Sequence, residues 1–269
     1  MIRGKHQPIG VFDSGIGGLT VANAISALLP NEQLIYFGDT AHFPYGDKSK
    51  ELIRTYATRI TDFFLNEKQC KTVVIACNTA SAAAYEVLRD KYKGIAPVIN
   101  VIDPMIEAVI ADEAIKKVGI IATKTTVESG VYQEKFNRRK PSLQYSALAT
   151  PLLAPMIEEG FYNDKISQTV IENYLRQPEL DGIDALVLGC THYPLIKAEI
   201  SKFYGAKVRI FDSAEVVAAK LKSILEKESL ASDKKQGSDV FYVSDYTESF
   251  ERISKIFYGH QIRLEKCII

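Results

Sequence analysis

The feature that most constrains this chain is its rhythm. Short Val/Ile-rich runs alternate with longer helical patterns from Pro8 almost to the end. The pattern predicts strands over 8–12, 33–37, 72–76, 98–102, 118–122, 143–147, 185–188, 208–210 and 240–243. It predicts helices over 18–29, 51–65, 80–91, 105–114, 126–136, 152–158, 164–175, 195–203, 214–227 and 246–257. Uninterrupted apolar strands separated by helices are the signature of parallel sheets covered on both faces. Roughly ten strands crowd a single open sheet, so two smaller α/β units are expected. The charged, Gly/Ser-bearing stretch 227–238 reads as a surface loop.

Composition removes several classes. The chain has 269 residues, with 33 basic and 33 acidic side chains and a formal net charge of zero. That balance provides no global attraction to nucleic acid or to an anionic membrane. No stretch approaches the ~20 apolar residues of a membrane-spanning helix. The N-terminal Met1-Ile2-Arg3-Gly4-Lys5-His6 lacks the apolar core of a secretory signal, so a cytoplasmic protein with free thiols is expected. Four cysteines and four histidines, without a Cys-x-x-Cys spacing, do not make a metal scaffold, and no metal site is expected.

In parallel α/β folds ligands gather beyond the carboxyl ends of the strands. Four polar motifs fall at such ends. Asp13-Ser14-Gly15-Ile16-Gly17-Gly18 is a glycine turn able to bring backbone N–H groups to an anion. As a dinucleotide fingerprint it is incomplete, because Thr20 occupies the third glycine position. Gly38-Asp39-Thr40-Ala41-His42-Phe43-Pro44-Tyr45-Gly46 is either a plain turn or a loop presenting the Tyr45 hydroxyl and the Gly46 N–H to a ligand. The other two motifs echo each other. Val73-Val74-Ile75-Ala76-Cys77-Asn78-Thr79 and Leu186-Val187-Leu188-Gly189-Cys190-Thr191-His192 are each an apolar strand, a small residue, a cysteine and short polar groups. One such cysteine is ordinarily a small core residue. Two, each followed by groups able to hold a carboxylate, point further. A disulfide, a Cys–His hydrolase dyad and proton transfer to and from opposite faces of a carbon acid all remain open. Cys70 and Cys267 lack polar company and are expected to be inert.

Taken together, these four motifs resemble the glutamate racemases of the cofactor-independent aspartate/glutamate racemase superfamily, in order and over nearly the whole chain. His192 after Thr191 favours glutamate over aspartate. The resemblance implies two pseudo-symmetric α/β domains, each a mostly parallel sheet flanked by helices, with the active site in the cleft between them. The first domain would be 1–102 plus 213–269 and the second 103–212. It implies interconversion of L- and D-glutamate without a cofactor, supplying D-glutamate for peptidoglycan. Cys77 and Cys190 would be the two acid/base groups, associated with the α-protons of D- and L-glutamate respectively. Asp13 and His192 would assist them, and Glu158, or its neighbour Glu159, would be an acid near the second thiol. Asp13, Ser14, Tyr45, Gly46, Asn78, Thr79, Thr123, Thr191 and His192 would hold the substrate. Homodimers of several geometries, and in some members an interaction with DNA gyrase, also follow from the resemblance. Two departures are His42, where many relatives carry arginine, and Thr150, where many carry cysteine.

Overall fold

A computed structural model describes residues 4–269; Met1, Ile2 and Arg3, the start of the polar N-terminal stretch, lie outside the described residues. The strands are β1 (Ile9–Asp13), β2 (Leu34–Gly38), β3 (Thr72–Ile75), β4 (Val98–Asn100), β5 (Lys117–Ala122), β6 (Gln144–Ala149), β7 (Ala185–Gly189), β8 (Arg209–Phe211), β9 (Val240–Val243) and β10 (Leu264–Lys266). They form two sheets, ordered β10-β9-β2-β1-β3-β4 and β6-β5-β7-β8. Every pairing is parallel. Helices cover both, as the sequence pattern predicts.

The two sheets share one internal plan. Numbered from its own first strand, each contains the order 2-1-3-4. The paired Val/Ile/Leu runs that end in Cys77 and Cys190 are the two third strands, β3 and β7. Each lies against its first strand, with Phe12 opposite Ile75 and Ala122 opposite Gly189. The chain reverses its direction of growth between first and third strands, so these carboxyl ends border the topological switch points where α/β sheets accept ligands. The short sequence echo is the local trace of this repeated plan.

Strand periodicity sorts the core. Val11, Leu34, Tyr36 and Val74 of the larger sheet lie in one buried cluster with Val118, Ile120, Leu186 and Leu188 of the smaller. Phe12, Phe37, Val73 and Ile75 face the other way, into a second cluster with Phe64 and Leu88. After β8 the chain returns through helix Ser213–Lys227, which packs on helix Leu19–Leu28 of the larger sheet and on helix Ile102–Ile110.

The structure corrects several local expectations. The helix predicted over 126–136 is two, Lys124–Glu128 and Val131–Arg139, because Gly130 takes a left-handed conformation (φ 67°) that interrupts the first. The helix predicted over 51–65 is Lys50–Asp62, passing into a wider π-helical turn, Phe63–Glu67. The helix predicted over 105–114 starts earlier, at Ile102, and stops at Ile110. The helix predicted from Ala80 begins at Asn78, with Cys77 as its N-cap. Strand β10 was not expected. It is a short, charged edge strand in which only Leu264 is buried, so it carries no apolar run.

Candidate active site

Both third-strand cysteines open onto one small cavity between the two sheets. Its walls are Ser14, Tyr45, Gly46, Cys77, Asn78, Thr79, Thr123, Cys190, Thr191 and His192, together with Phe43, Pro44 and Ala154. The cavity encloses about 20 Å³, the room of a single water. Ten of its thirteen walls are residues that the sequence reading had selected. Asp13 and Glu158 are not on the wall; each stands behind one of the thiols.

On the larger-sheet side, Cys77 ends the β3 run and caps the following helix, its Sγ accepting from the Ala80 N–H at 3.4 Å. The thiol also reaches the Ser14 hydroxyl at 3.6 Å. A sulfur at a helix N-terminus ordinarily ionises more readily. Here burial opposes that, and the nearby Asp13 carboxylate adds to it, so the Cys77 thiol is pushed up to about 12. Asp13 is fully buried, accepting from the Gly15 N–H at 3.1 Å and from the Thr191 hydroxyl at 3.3 Å. Gly18 permits this position: a Cβ there would lie 2.5 Å from that of Asp13.

On the smaller-sheet side, Cys190 belongs to a chain of three groups. Its Sγ lies 3.6 Å from His192 Nδ1, and His192 Nε2 lies 2.6 Å from Glu158 Oε1. The two-residue spacing that makes a Cys190–His192 contact look awkward in sequence is bridged by the turn leading into Tyr193–Ile196. Burial by itself would push the imidazole down. The hydrogen bonds to Cys190 and Glu158 outweigh it and hold His192 well above its ordinary value. Glu158 is the last residue of helix Leu153–Glu158 and is buried, while Glu159 is exposed. The acid that meets His192 is therefore Glu158.

Residues of the larger sheet complete the setting of His192. Phe43 and Phe257 approach its ring at centroid distances of 5.8 and 5.3 Å, and Gly17 approaches it so closely that a Cβ there would lie 2.6 Å from Nδ1. Further bonds join the two sides. The Thr79 hydroxyl meets that of Thr123 at 2.9 Å and that of Thr126 at 3.3 Å. Thr125 donates to the Gly46 carbonyl at 2.6 Å.

One expected role changes. Tyr45 lines the cavity, but its hydroxyl donates to Asp39 at 2.5 Å instead of facing the cavity. Asp39 is buried and also accepts from Ser244, with His42 at 2.8 Å, so its carboxylate is tied to the loop and to the turn after β9. Sequence reasoning missed Tyr36, whose hydroxyl donates to the Gly15 carbonyl at 3.0 Å and anchors the glycine turn. It also missed Phe257 and Tyr132, which come from helices distant in sequence and carry no local motif. Cys70 and Cys267 are not on the cavity wall.

Two repeated parallel sheets, each delivering a cysteine from its third strand to one cavity, define an α/β protein with paired thiols at a shared site. Comparisons with known proteins converge on the same class. The model of the Asp/Glu/Hydantoin racemase family matches residues 17–221. A glutamate racemase of Neisseria meningitidis serogroup A is 44% identical over 257 residues, covering 95% of this chain and 94% of the relative. A crystal structure of glutamate racemase from Francisella tularensis in complex with D-glutamate superposes with a TM-score of 0.91 at 36% identity, over 98% of both chains. That of the RacE1 isoform from Bacillus anthracis superposes with a TM-score of 0.92 at 35% identity, again over 98% of both. The chain belongs to the Asp/Glu/Hydantoin racemase family. It is an amino-acid racemase.

Proposed function

We propose that this racemase interconverts L- and D-glutamate by two-base proton transfer at Cα, with Cys77 and Cys190 on opposite faces of the carbon. The observation that carries this reading is the pair of third-strand thiols at one cavity, set in unlike environments. Cys77 is held as a thiol by burial and by Asp13. Cys190 lies 3.6 Å from His192, whose imidazole is held well above its ordinary value by its hydrogen bonds to Cys190 and Glu158.

With L-glutamate, the Cys190 thiolate takes the α-proton and the Cys77 thiol delivers one to the other face. In the reverse direction Cys77 must act as base, with Asp13 as the adjacent acceptor, and Cys190 as acid. The difficulty in either direction is the charge that develops on a carbon already attached to a carboxylate. Oriented donors stabilise such charge, and Ser14, Asn78 and Thr79, which line the cavity, would supply them. Because the closed cavity is so small, the two sheets must part to admit substrate and close again over it. We assign 1–102 plus 213–269 and 103–212 as the two bodies that move, and the supply of D-glutamate for peptidoglycan as the role.

Loss of optical rotation from L-glutamate, without added cofactor, tests the activity; an unchanged signal with folded protein overturns it. A second measurement tests the assignment of the thiols. Glu158→Gln removes the carboxylate that supports the imidazolium, so burial then pulls His192 down. Cys190 then loses its cationic neighbour near neutrality. The alkaline limb of kcat/KM for L-glutamate, where the imidazolium is lost, should move to lower pH by about one unit. For D-glutamate, where Cys190 serves as acid, the limb should move less. Equal shifts in both directions would count against the assignment.

A further inference from the structure

Asn78 is the first residue of the helix that Cys77 caps, and it is only 3% exposed. Its two amide ends are in unlike situations. Oδ1 accepts from the phenol of Tyr132 at 2.9 Å. Nδ2 is buried and has no hydrogen-bond partner among the described residues, while the side chain forms part of the cavity wall. A buried, unsatisfied N–H donor is costly unless something arrives to accept from it. The glutamate carboxylate is a suitable acceptor.

Tyr132 comes from the other side of the cavity, on helix Val131–Arg139, which follows the left-handed Gly130. It is buried, and its ring stacks on Phe136 at 6.4 Å with an interplanar angle of 27°. Burial pushes the phenol well above its ordinary value, so it remains a protonated donor at any working pH. A phenol O–H that donates can satisfy only the oxygen end of an amide.

We propose that Tyr132 is a positioning residue: by holding Asn78 Oδ1, it fixes the amide so that Nδ2 faces the substrate carboxylate. The inference deepens the glutamate racemase reading and rests on it. The bond also joins a helix that follows the smaller sheet's first strand to the helix that follows Cys77. The amide is therefore set only when the two sides are together. Without the phenol proton, rotation about the last side-chain bond would present the Asn78 oxygen to a carboxylate, an acceptor facing an acceptor.

The test is steady-state kinetics in both directions with Tyr132→Phe, Asn78→Ala and the double variant. Tyr132→Phe is expected to raise KM for both enantiomers roughly tenfold, the effect of losing one well-aligned hydrogen bond to a charged group. Its kcat should change by less than about threefold, since the phenol does not touch the reacting carbon. Added to Asn78→Ala, it should do nothing more, because the group that it orients is gone. A purely structural tyrosine would lower Tm and add its full effect in either background. Unchanged KM in Tyr132→Phe, or full additivity in the double variant, overturns the proposal. Asn78→Asp provides an arm that leaves Tyr132 intact: it keeps an acceptor for the phenol but turns a second oxygen to the cavity. It should raise KM by about a hundredfold, and a KM near that of the parent would also overturn the proposal. A parent chain that does not racemise glutamate removes both readings; a parent that does, with unchanged KM in the variants, removes only this one.

Discussion

Serine in place of Cys77 or of Cys190 is expected to lower kcat/KM for both enantiomers by about 10²–10⁴-fold, with a melting temperature near that of the parent. Both side chains are small and buried, at 5% and 7% exposure, so a hydroxyl fits each site. What it lacks is the acidity. An alcohol does not ionise within reach of neutral pH, and neither the imidazolium beside Cys190 nor the helix N-terminus at Cys77 makes up that difference. In the proposed mechanism each direction needs one thiol as base and the other as acid, so either replacement blocks both. Proton NMR in D₂O supplies a second readout. With two distinct groups, the parent enzyme should place deuterium on Cα of newly formed product while unreacted substrate still carries protium. Parent-like activity in either variant, or early labelling of the substrate pool at the same rate as product, would remove the two-base mechanism.

Gly17→Ala is the second large effect, and it arises from geometry instead of chemistry. A Cβ at this position would stand 2.6 Å from both Cε1 and Nδ1 of His192 and 2.7 Å from the Thr191 hydroxyl. Such contacts cannot be relieved by a flexible chain end. The imidazole is tied to Glu158 at 2.6 Å and flanked by Phe43 and Phe257. Gly17 itself does not have a positive φ, so alanine adds no backbone strain. Either the ring is pushed from Cys190 or the two sides fail to close. Displacements of about 1 Å near a reacting centre cost on the order of 10² in rate. A fall in kcat/KM of about that size is expected, with Tm little changed. Kinetics like those of the parent would show that the close approach of Gly17 to His192 is not needed for turnover.

The motifs that build the walls were legible because each sits where a strand ends. An apolar run followed by a small residue and short polar groups specifies both the strand and the group at its tip. Cys77, Asn78 and Thr79 after β3, and Cys190, Thr191 and His192 after β7, could be placed this way. Glu158 and Glu159 could not be separated, because a helix of six residues is too short for periodicity to tell its buried face. Tyr45 was read for its hydroxyl, but the partner that takes that hydroxyl, Asp39, lies within the same loop. Strand β10 stayed hidden because an edge strand with exposed Glu265 and Lys266 has no hydrophobic signal.

The order of apolar runs and helices determined two parallel sheets, and the twin cysteine motifs determined which strand ends deliver the two thiols. Both are local properties, set by side-chain period and by what a strand end exposes. Only the tertiary structure decided how the two ends meet. The unlike surroundings of the thiols come from Asp13 behind one and from the His192–Glu158 pair behind the other. The slot for His192 is made by Gly17, Phe43 and Phe257, and the orientation of Asn78 by Tyr132. These contacts join segments far apart in the chain, and their effect depends on burial and distance, which no spacing in a sequence expresses.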